Sequence, residues 1–355
     1  MIMNPGTQEA AGQRTSRVLY FDVLNVLACI SVLFLHCNTM VHAWNPGKNW
    51  AAALAIETIF FFAVPIFFML TGATLLRYRD RYDTQTFFRK RLLRIAVPFL
   101  AWSLIAFITA NIVNDRWDTL NAWNPVSFAN GILNNTIEVT YWFFFPLFAI
   151  YLALPVISLL KDQRSVLIYA AVAAFILQYC LPVIMKMLGT NWNPDFSMPA
   201  LGGFLFYPVL GYLLATIDFA KKYRILLYTT AVLSLILKFG YTLYYSALIQ
   251  DVDRTFFDYQ VFTAALPAAA IFVWCKNTDF EWLRKHQNLL AKISGCSFGV
   301  YLLHNLVLQN IIFGFFAISP TSVVLRTAVP LLLYAFCVLA VLLLKQIPIL
   351  RKIVP

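Results

Sequence analysis

A train of apolar runs, each roughly 18 to 25 residues long, extends from residue 18 to residue 345 and leaves no gap wide enough for a folded domain outside them. A run of that length with few charges crosses the hydrocarbon core of a bilayer as an α-helix, because there the backbone must satisfy its own polar groups. Apolar residues make up 61% of the chain and charged residues only 12%, too little polar side chain to clothe a soluble globule. The runs predict helices at about 18–38, 50–76, 92–114, 141–160, 165–187, 200–217, 225–249, 259–275, 293–313 and 322–344. Turn-forming stretches such as Asn45-Pro46-Gly47, Asn124-Pro125 and Asn193-Pro194 punctuate them. The expected fold is all-α, a polytopic membrane helix bundle of about ten transmembrane helices. It forms one domain over 18–345, between an N-terminal tail at 1–17 and a C-terminal tail at 346–355.

The net charge of +11 does not point to nucleic acid, because the Lys and Arg residues sit in short loops between apolar runs rather than on one soluble face. Assigning alternate loops to one side groups 21 of them with the N-terminal tail. That leaves 5 on the other side (Lys48, Arg116, Lys186, Arg254 and Arg326) and Lys238 inside a helix. By the positive-inside rule both termini are cytoplasmic, and the basic loops suit anionic membrane lipids. Trp44, Trp50, Trp117, Trp123, Trp142 and Trp192 fall near the expected outer ends, where indoles anchor at headgroups, while Trp102, Trp274 and Trp282 fall toward the inner side. The six cysteines show no CxxC or metal-type spacing, so neither a disulfide framework nor a metal site is expected. Arg14 and Arg17 before an apolar run imitate a signal peptide, but Asp22, Asn25 and His36 interrupt the run and no small-x-small cleavage site follows. The first helix is therefore expected to stay.

An ionisable group at membrane depth costs at least about 2.5 kcal/mol on the milder scales, so each one asks for a partner or a purpose. In the first helix Asp22, Asn25, Cys29 and His36 fall within a stripe roughly 60° wide. For Asn25 and Cys29 a seam of interhelical hydrogen bonds accounts for the pattern as well as function does. His36 is suited to act as a general base at neutral pH. Farther on, Ser297, Tyr301 and His304 stand at i, i+4 and i+7 on one helix face. The small residues Ser294, Gly295, Ser297 and Gly299 are read first as allowing close helix packing. Glu57 and Lys238 lie within helices, open to reading as a structural ion pair or as substrate contacts, and Glu138 stands just outside one. His42 and His286 are expected in solvated loops.

The densest basic patch, Phe87-Phe-Arg-Lys-Arg-Leu-Leu-Arg94, leads into Pro98. It serves as a topogenic signal, or Arg89, Arg91 and Arg94 bind the phosphates of a nucleotide-like donor. No Gly-rich phosphate loop of the P-loop or dinucleotide kind occurs, which argues against ATP coupling and nicotinamide chemistry.

Five stretches stand in order along the chain: Tyr20-Phe-Asp-Val-Leu-Asn-Val-Leu-Ala-Cys-Ile-Ser-Val-Leu-Phe-Leu-His36, Phe-Met-Leu-Thr-Gly ending at Gly72, Arg89 to Pro98, Tyr141-Trp-Phe-Phe-Phe before Pro146, and Ser297 to His304. In these the chain resembles the bacterial membrane acyltransferase 3 family, over nearly its whole length. One departure is Asn25, which stands where that family usually has an Arg eleven residues before the His. The resemblance implies transfer of an acyl group, commonly acetyl, from cytoplasmic acyl-CoA to a hydroxyl of a surface glycan or lipid-linked saccharide, with no tightly bound cofactor. It implies that His36 acts as base or carries the acyl group briefly, with Asp22 and Asn25 beside it. Arg89, Arg91 and Arg94 would bind the donor, and Glu57, Glu138, Lys238, Ser297, Tyr301 and His304 would line the substrate route. A bacterial plasma membrane is the expected location.

Two other classes compete. A transporter or flippase for a glycan or lipid precursor would explain Asp22, Glu57, Lys238 and His304 within the membrane, but residues 18–187 and 200–344 show no repeated halves. A scaffold needs no continuous polar stripe. The acyltransferase reading carries a geometric demand: with the Arg cluster inside and His36 toward the outside, the acyl group must reach across the bundle.

Overall fold

The computed structural model describes residues 18–113, 124–196 and 198–354. The 1–17 tail with Arg14 and Arg17, and the loop with Arg116, Trp117 and Trp123, lie outside the described residues. In chain order the helices are α1 (Leu19–Cys37), α2 (Lys48–Phe60), α3 (Ala63–Leu75), α4 (Thr84–Arg91), α5 (Val97–Val113), α6 (Pro125–Leu133), α7 (Phe144–Ile157), α8 (Arg164–Ala174) and α9 (Leu181–Met187). There follow α10 (Phe206–Thr216), α11 (Lys221–Ile249), α12 (Phe262–Asn277), α13 (Glu281–Arg284), α14 (Gln287–Ser294), α15 (Ser297–Val307), α16 (Val323–Thr327) and α17 (Val329–Leu344). No strand occurs among the described residues. The chain is a polytopic membrane helix bundle.

Among the described residues seven stretches are long and apolar enough to cross a bilayer: Leu19–Cys37, Lys48–Asp80, Thr84–Ile112, Val139–Leu160, Arg164–Met187, Lys221–Ile249 and Ser297–Phe315. At the positions expected for the remaining three, the helices are shorter: Gly203–Thr216, Phe262–Asn277 and Val329–Leu344. One of the long stretches ends in a π-turn, at Leu308–Phe315 after α15, and two are interrupted by π-turns, at Leu92–Ala96 between α4 and α5 and at Phe175–Cys180 between α8 and α9. Each of the two interruptions precedes a proline, Pro98 or Pro182, whose ring would collide with the carbonyl four residues back in a regular helix. The wider turn removes the collision without ending the helix.

The tightest crossing joins α3 to α10. A Cβ on Gly72 would stand 1.8 Å from the Pro208 carbonyl oxygen, and one on Gly211 would stand 2.1 Å from that of Met69. Only glycine lets two backbones approach so closely. On the other side of the bundle, Gly299 of α15 meets Val341 of α17, where an added Cβ would fall 2.7 Å from Cγ2. The packing expected of the small residues is thus found at Gly299. Helix α1 runs between these layers and touches α2, α3, α12, α14, α15 and α17.

One end of the bundle gathers most of the basic loops. There Arg77 pairs with Asp80 at 2.8 Å, Lys161 also reaches Asp80, and Lys276 pairs with Asp218 at 2.8 Å. The Lys276 ammonium holds the Asp218 carboxyl below its ordinary range. Asp83 caps α4, accepting from the Thr86 N–H at 2.7 Å, and those hydrogen bonds to Thr86 keep its carboxyl below the usual value as well. The cap sets the start of the helix that carries Arg89 and Arg91. The C-terminal stretch, expected as a tail, is docked: the Trp102 indole N–H donates to the Ile353 carbonyl at 2.9 Å, and Val354 is buried.

Candidate active site

Two cavities enter the bundle from opposite ends. The cavity at the basic end, about 340 Å³, is lined by Asp22 and Asn25 of α1, Thr71 and Thr74 of α3, Arg91, Tyr151 of α7, and Ser294, Ser297 and Tyr301. Two buried polar atoms here have no hydrogen-bond partner among the described residues, Nε of Arg91 and Oγ of Ser297. Unpartnered groups of that kind are costly unless a ligand or water satisfies them. The Arg91 guanidinium lies 5.8 Å from the centre of the Tyr151 ring and 6.0 Å from that of Phe87, and it also hydrogen-bonds the Tyr151 side chain, so these two aromatic residues hold it at the cavity wall.

The cavity at the far end is larger, about 620 Å³, and is lined by His36, Thr39, His42, Thr109, Glu138, Thr140, Asn305, Gln309 and Asn310 among others. No Lys or Arg lines it among the described residues. Oε1 of Glu138 accepts hydrogen bonds from the Thr140 hydroxyl at 2.8 Å, the Thr140 N–H at 3.2 Å and the Asn305 amide at 2.6 Å. A carboxylate held this way is a fixed acceptor ringed by hydroxyls and amides.

The wall between the cavities is built by α15. Tyr301 lines the basic-end cavity, and its hydroxyl donates to the Thr140 carbonyl. His304, three residues on and fully buried, places Nδ1 2.7 Å from the Tyr301 carbonyl and Nε2 2.6 Å from Nδ1 of His36. His36 in turn lines the far-end cavity. A chain of two bonds therefore joins the residue facing one cavity to the residue facing the other.

The sequence matches the acyltransferase 3 family, described as an acyltransferase domain, over residues 18–345. The chain belongs to that family. No curated protein and no solved structure matches it. A membrane acyltransferase must bring an acyl donor and an acceptor together.

The expected site residues distribute unevenly over this acyltransferase. Asp22 and Asn25 line the basic-end cavity, fourteen and eleven residues before His36 on the same helix, a separation of roughly 21 and 16 Å at 1.5 Å per residue. They do not touch His36. Asn25 instead donates to the carbonyl and the hydroxyl of Ser294, both at 2.9 Å, and so ties α1 to the end of α14. Of the three arginines, Arg91 lines the basic-end cavity, Arg89 lines a separate apolar groove beside it, and Arg94 is exposed on the π-turn. Glu57 and Lys238 are both buried where α2 meets α11, and neither lines either cavity. The Lys238 ammonium sits 3.2 Å from the centre of the Phe61 ring, and Asn38 donates to Glu57 at 3.4 Å. Sequence reasoning passed over Thr140, Asn305 and Tyr151. Asn305 had a signal, since it follows His304 directly and repeats four residues on as Gln309, which donates to it at 3.4 Å.

Proposed function

We propose that this acyltransferase moves an acyl group, acetyl in the first instance, from cytoplasmic acyl-CoA to a hydroxyl of a surface glycan or lipid-linked saccharide in a bacterial plasma membrane. The observation that carries the reading is the pair of cavities set back to back across Tyr301, His304 and His36. The excess of basic loops makes the Arg91 end the cytoplasmic one. Arg91 and the neighbouring Arg89 offer planar, permanently charged donors to CoA phosphates. Among the described residues the opposite cavity has no Lys or Arg but several hydroxyls and amides with one carboxylate, a lining suited to a neutral polyol rather than to an anion.

In the reaction the acceptor oxygen attacks the thioester carbonyl carbon, the new C–O bond forms and the C–S bond breaks. His36 takes the hydroxyl proton and returns it to the departing thiolate, so no external base is consumed. The transport reading rests on Asp22, Glu57, Lys238 and His304; of these, Glu57 and Lys238 lie apart from both cavities, while Asp22 lines the basic-end one and His304 stands between the two.

The test uses the purified full chain in nanodiscs with labelled acetyl-CoA. The wild type is expected to bind it and to hydrolyse it slowly in the absence of an acceptor. His36→Ala is expected to bind it equally well without turnover. Failure of the wild type to interact with acetyl-CoA or with longer acyl-CoA species would overturn the reading in favour of glycan or lipid transport.

A further inference from the structure

His304 lines neither cavity, yet its two ring nitrogens are both engaged. The chemistry of its partners decides which nitrogen carries hydrogen. The Tyr301 carbonyl can only accept, so the 2.7 Å contact requires a hydrogen on Nδ1 of His304. The ring is fully buried, and no carboxylate bonds it among the described residues; an imidazolium there would be an unpaired buried charge, so the ring is neutral. Its Nε2 is then a bare acceptor. In the 2.6 Å contact between that atom and Nδ1 of His36, the only possible donor is His36. The two rings lie 15° from parallel with centres 4.8 Å apart, the arrangement of two imidazoles meeting edge to edge in nearly one plane.

We infer that His304 is a positioning residue that locks His36 in the tautomer with hydrogen on Nδ1, leaving Nε2 of His36 as the bare nitrogen available to the far-end cavity. The inference rests on the reading of His36 as the base. A backbone carbonyl cannot change its role, so the order of donors is imposed from the Tyr301 carbonyl outward and reaches His36 as a fixed polarity. Without it, His36 could place hydrogen on the nitrogen that must receive the acceptor's proton, and a base presenting an N–H in that direction does not function. The backbone of α15 thus sets the protonation pattern of a side chain on α1.

The chain has four histidines, so ¹⁵N spectra of histidine-labelled protein in nanodiscs resolve and assign by single substitution. In the wild type, His36 is expected with a protonated Nδ1 and an unprotonated Nε2. Two replacements separate tautomer control from packing. In His304→Gln the amide oxygen can still accept from Nδ1 of His36, so the ¹⁵N pattern and the acetyl-CoA turnover should stay within about tenfold of wild type. In His304→Leu the bulk remains but no acceptor does; His36 should become a mixture of tautomers, and turnover should fall on the order of 10²-fold with the KM for acetyl-CoA unchanged. A wild-type spectrum with hydrogen on Nε2 of His36, or equal loss of turnover in the Gln and Leu variants, would overturn the inference. The spectra stand without any turnover, so a chain that failed to use acyl-CoA would refute the proposed function while still deciding the tautomer.

Discussion

Arg91 lines the cavity at the basic end of the bundle, and Arg94, three residues on, is turned out of it into the surroundings. The π-turn at Leu92–Ala96 separates them: its wider winding breaks the register that would have put positions three apart on one face of a regular helix. Arg91→Ala is therefore expected to raise the KM for acetyl-CoA by about 10- to 100-fold, the range for losing a charge-assisted hydrogen bond of about 1.5–3 kcal/mol. Arg94→Ala should change it less than about threefold, in keeping with an exposed side chain. Titration of both variants with acetyl-CoA distinguishes the two, and equal losses would mean that the cluster acts as diffuse charge.

Glu138 stands in the far-end cavity with one carboxylate oxygen already carrying three hydrogen bonds from Thr140 and Asn305. Removing the carboxylate leaves those donors unpaired on the acceptor side and touches nothing at the basic end. Glu138→Ala should raise the KM for a saccharide acceptor on the order of tenfold or more, while acetyl-CoA binding by calorimetry stays at the wild-type value. A fall in acetyl-CoA binding of the same size would show that Glu138 holds the bundle together rather than receiving the acceptor.

Glu57 and Lys238 are both buried and attract each other electrostatically where α2 meets α11, with no direct hydrogen bond between them among the described residues. Glu57→Gln alone strands the ammonium against Phe61, and Lys238→Met alone strands the carboxylate beside Asn38. Each single change should destabilise the protein by about 3–5 kcal/mol, and the double change by clearly less than the sum. Thermal unfolding in detergent reads this directly. Since neither residue lines a cavity, the double variant should keep its acetyl-CoA turnover.

The apolar runs made the helices legible because the bilayer imposes length and composition on every span. The polar stripe of α1 was legible for the same reason, since Asp22, Asn25 and His36 stand out against an apolar background. What the runs do not carry is which helices touch. Sequence leaves open whether Glu57 meets Lys238, and whether His36 meets His304, because adjacency between helices far apart in the chain leaves no local period. The stripe also misleads as to distance: residues that share a face of α1 face different cavities, because a helix crossing the membrane reaches both ends. The division of the arginines had its signal in Pro98, whose ring forces the wide turn behind it.

The α3–α10 crossing yields the sharpest expectation about stability. Gly72 and Gly211 face the other helix's backbone, and the atoms a new Cβ would meet are carbonyl oxygens of Pro208 and Met69, which no rotamer change can move aside. Gly72→Ala must therefore push whole helices apart, opening gaps on both sides of the contact, and should cost more than the 1–3 kcal/mol typical of an overpacked side-chain core. Gly240 on α11 supplies the control: nothing lies within 4 Å of the Cβ it would gain, so Gly240→Ala should leave stability unchanged or raise it by a few tenths of a kcal/mol through helix propensity. Thermal unfolding in detergent with both variants side by side tests the crossing, because a general intolerance of the bundle to added methyl groups would lower both, whereas close backbone contact at Gly72 lowers only the first.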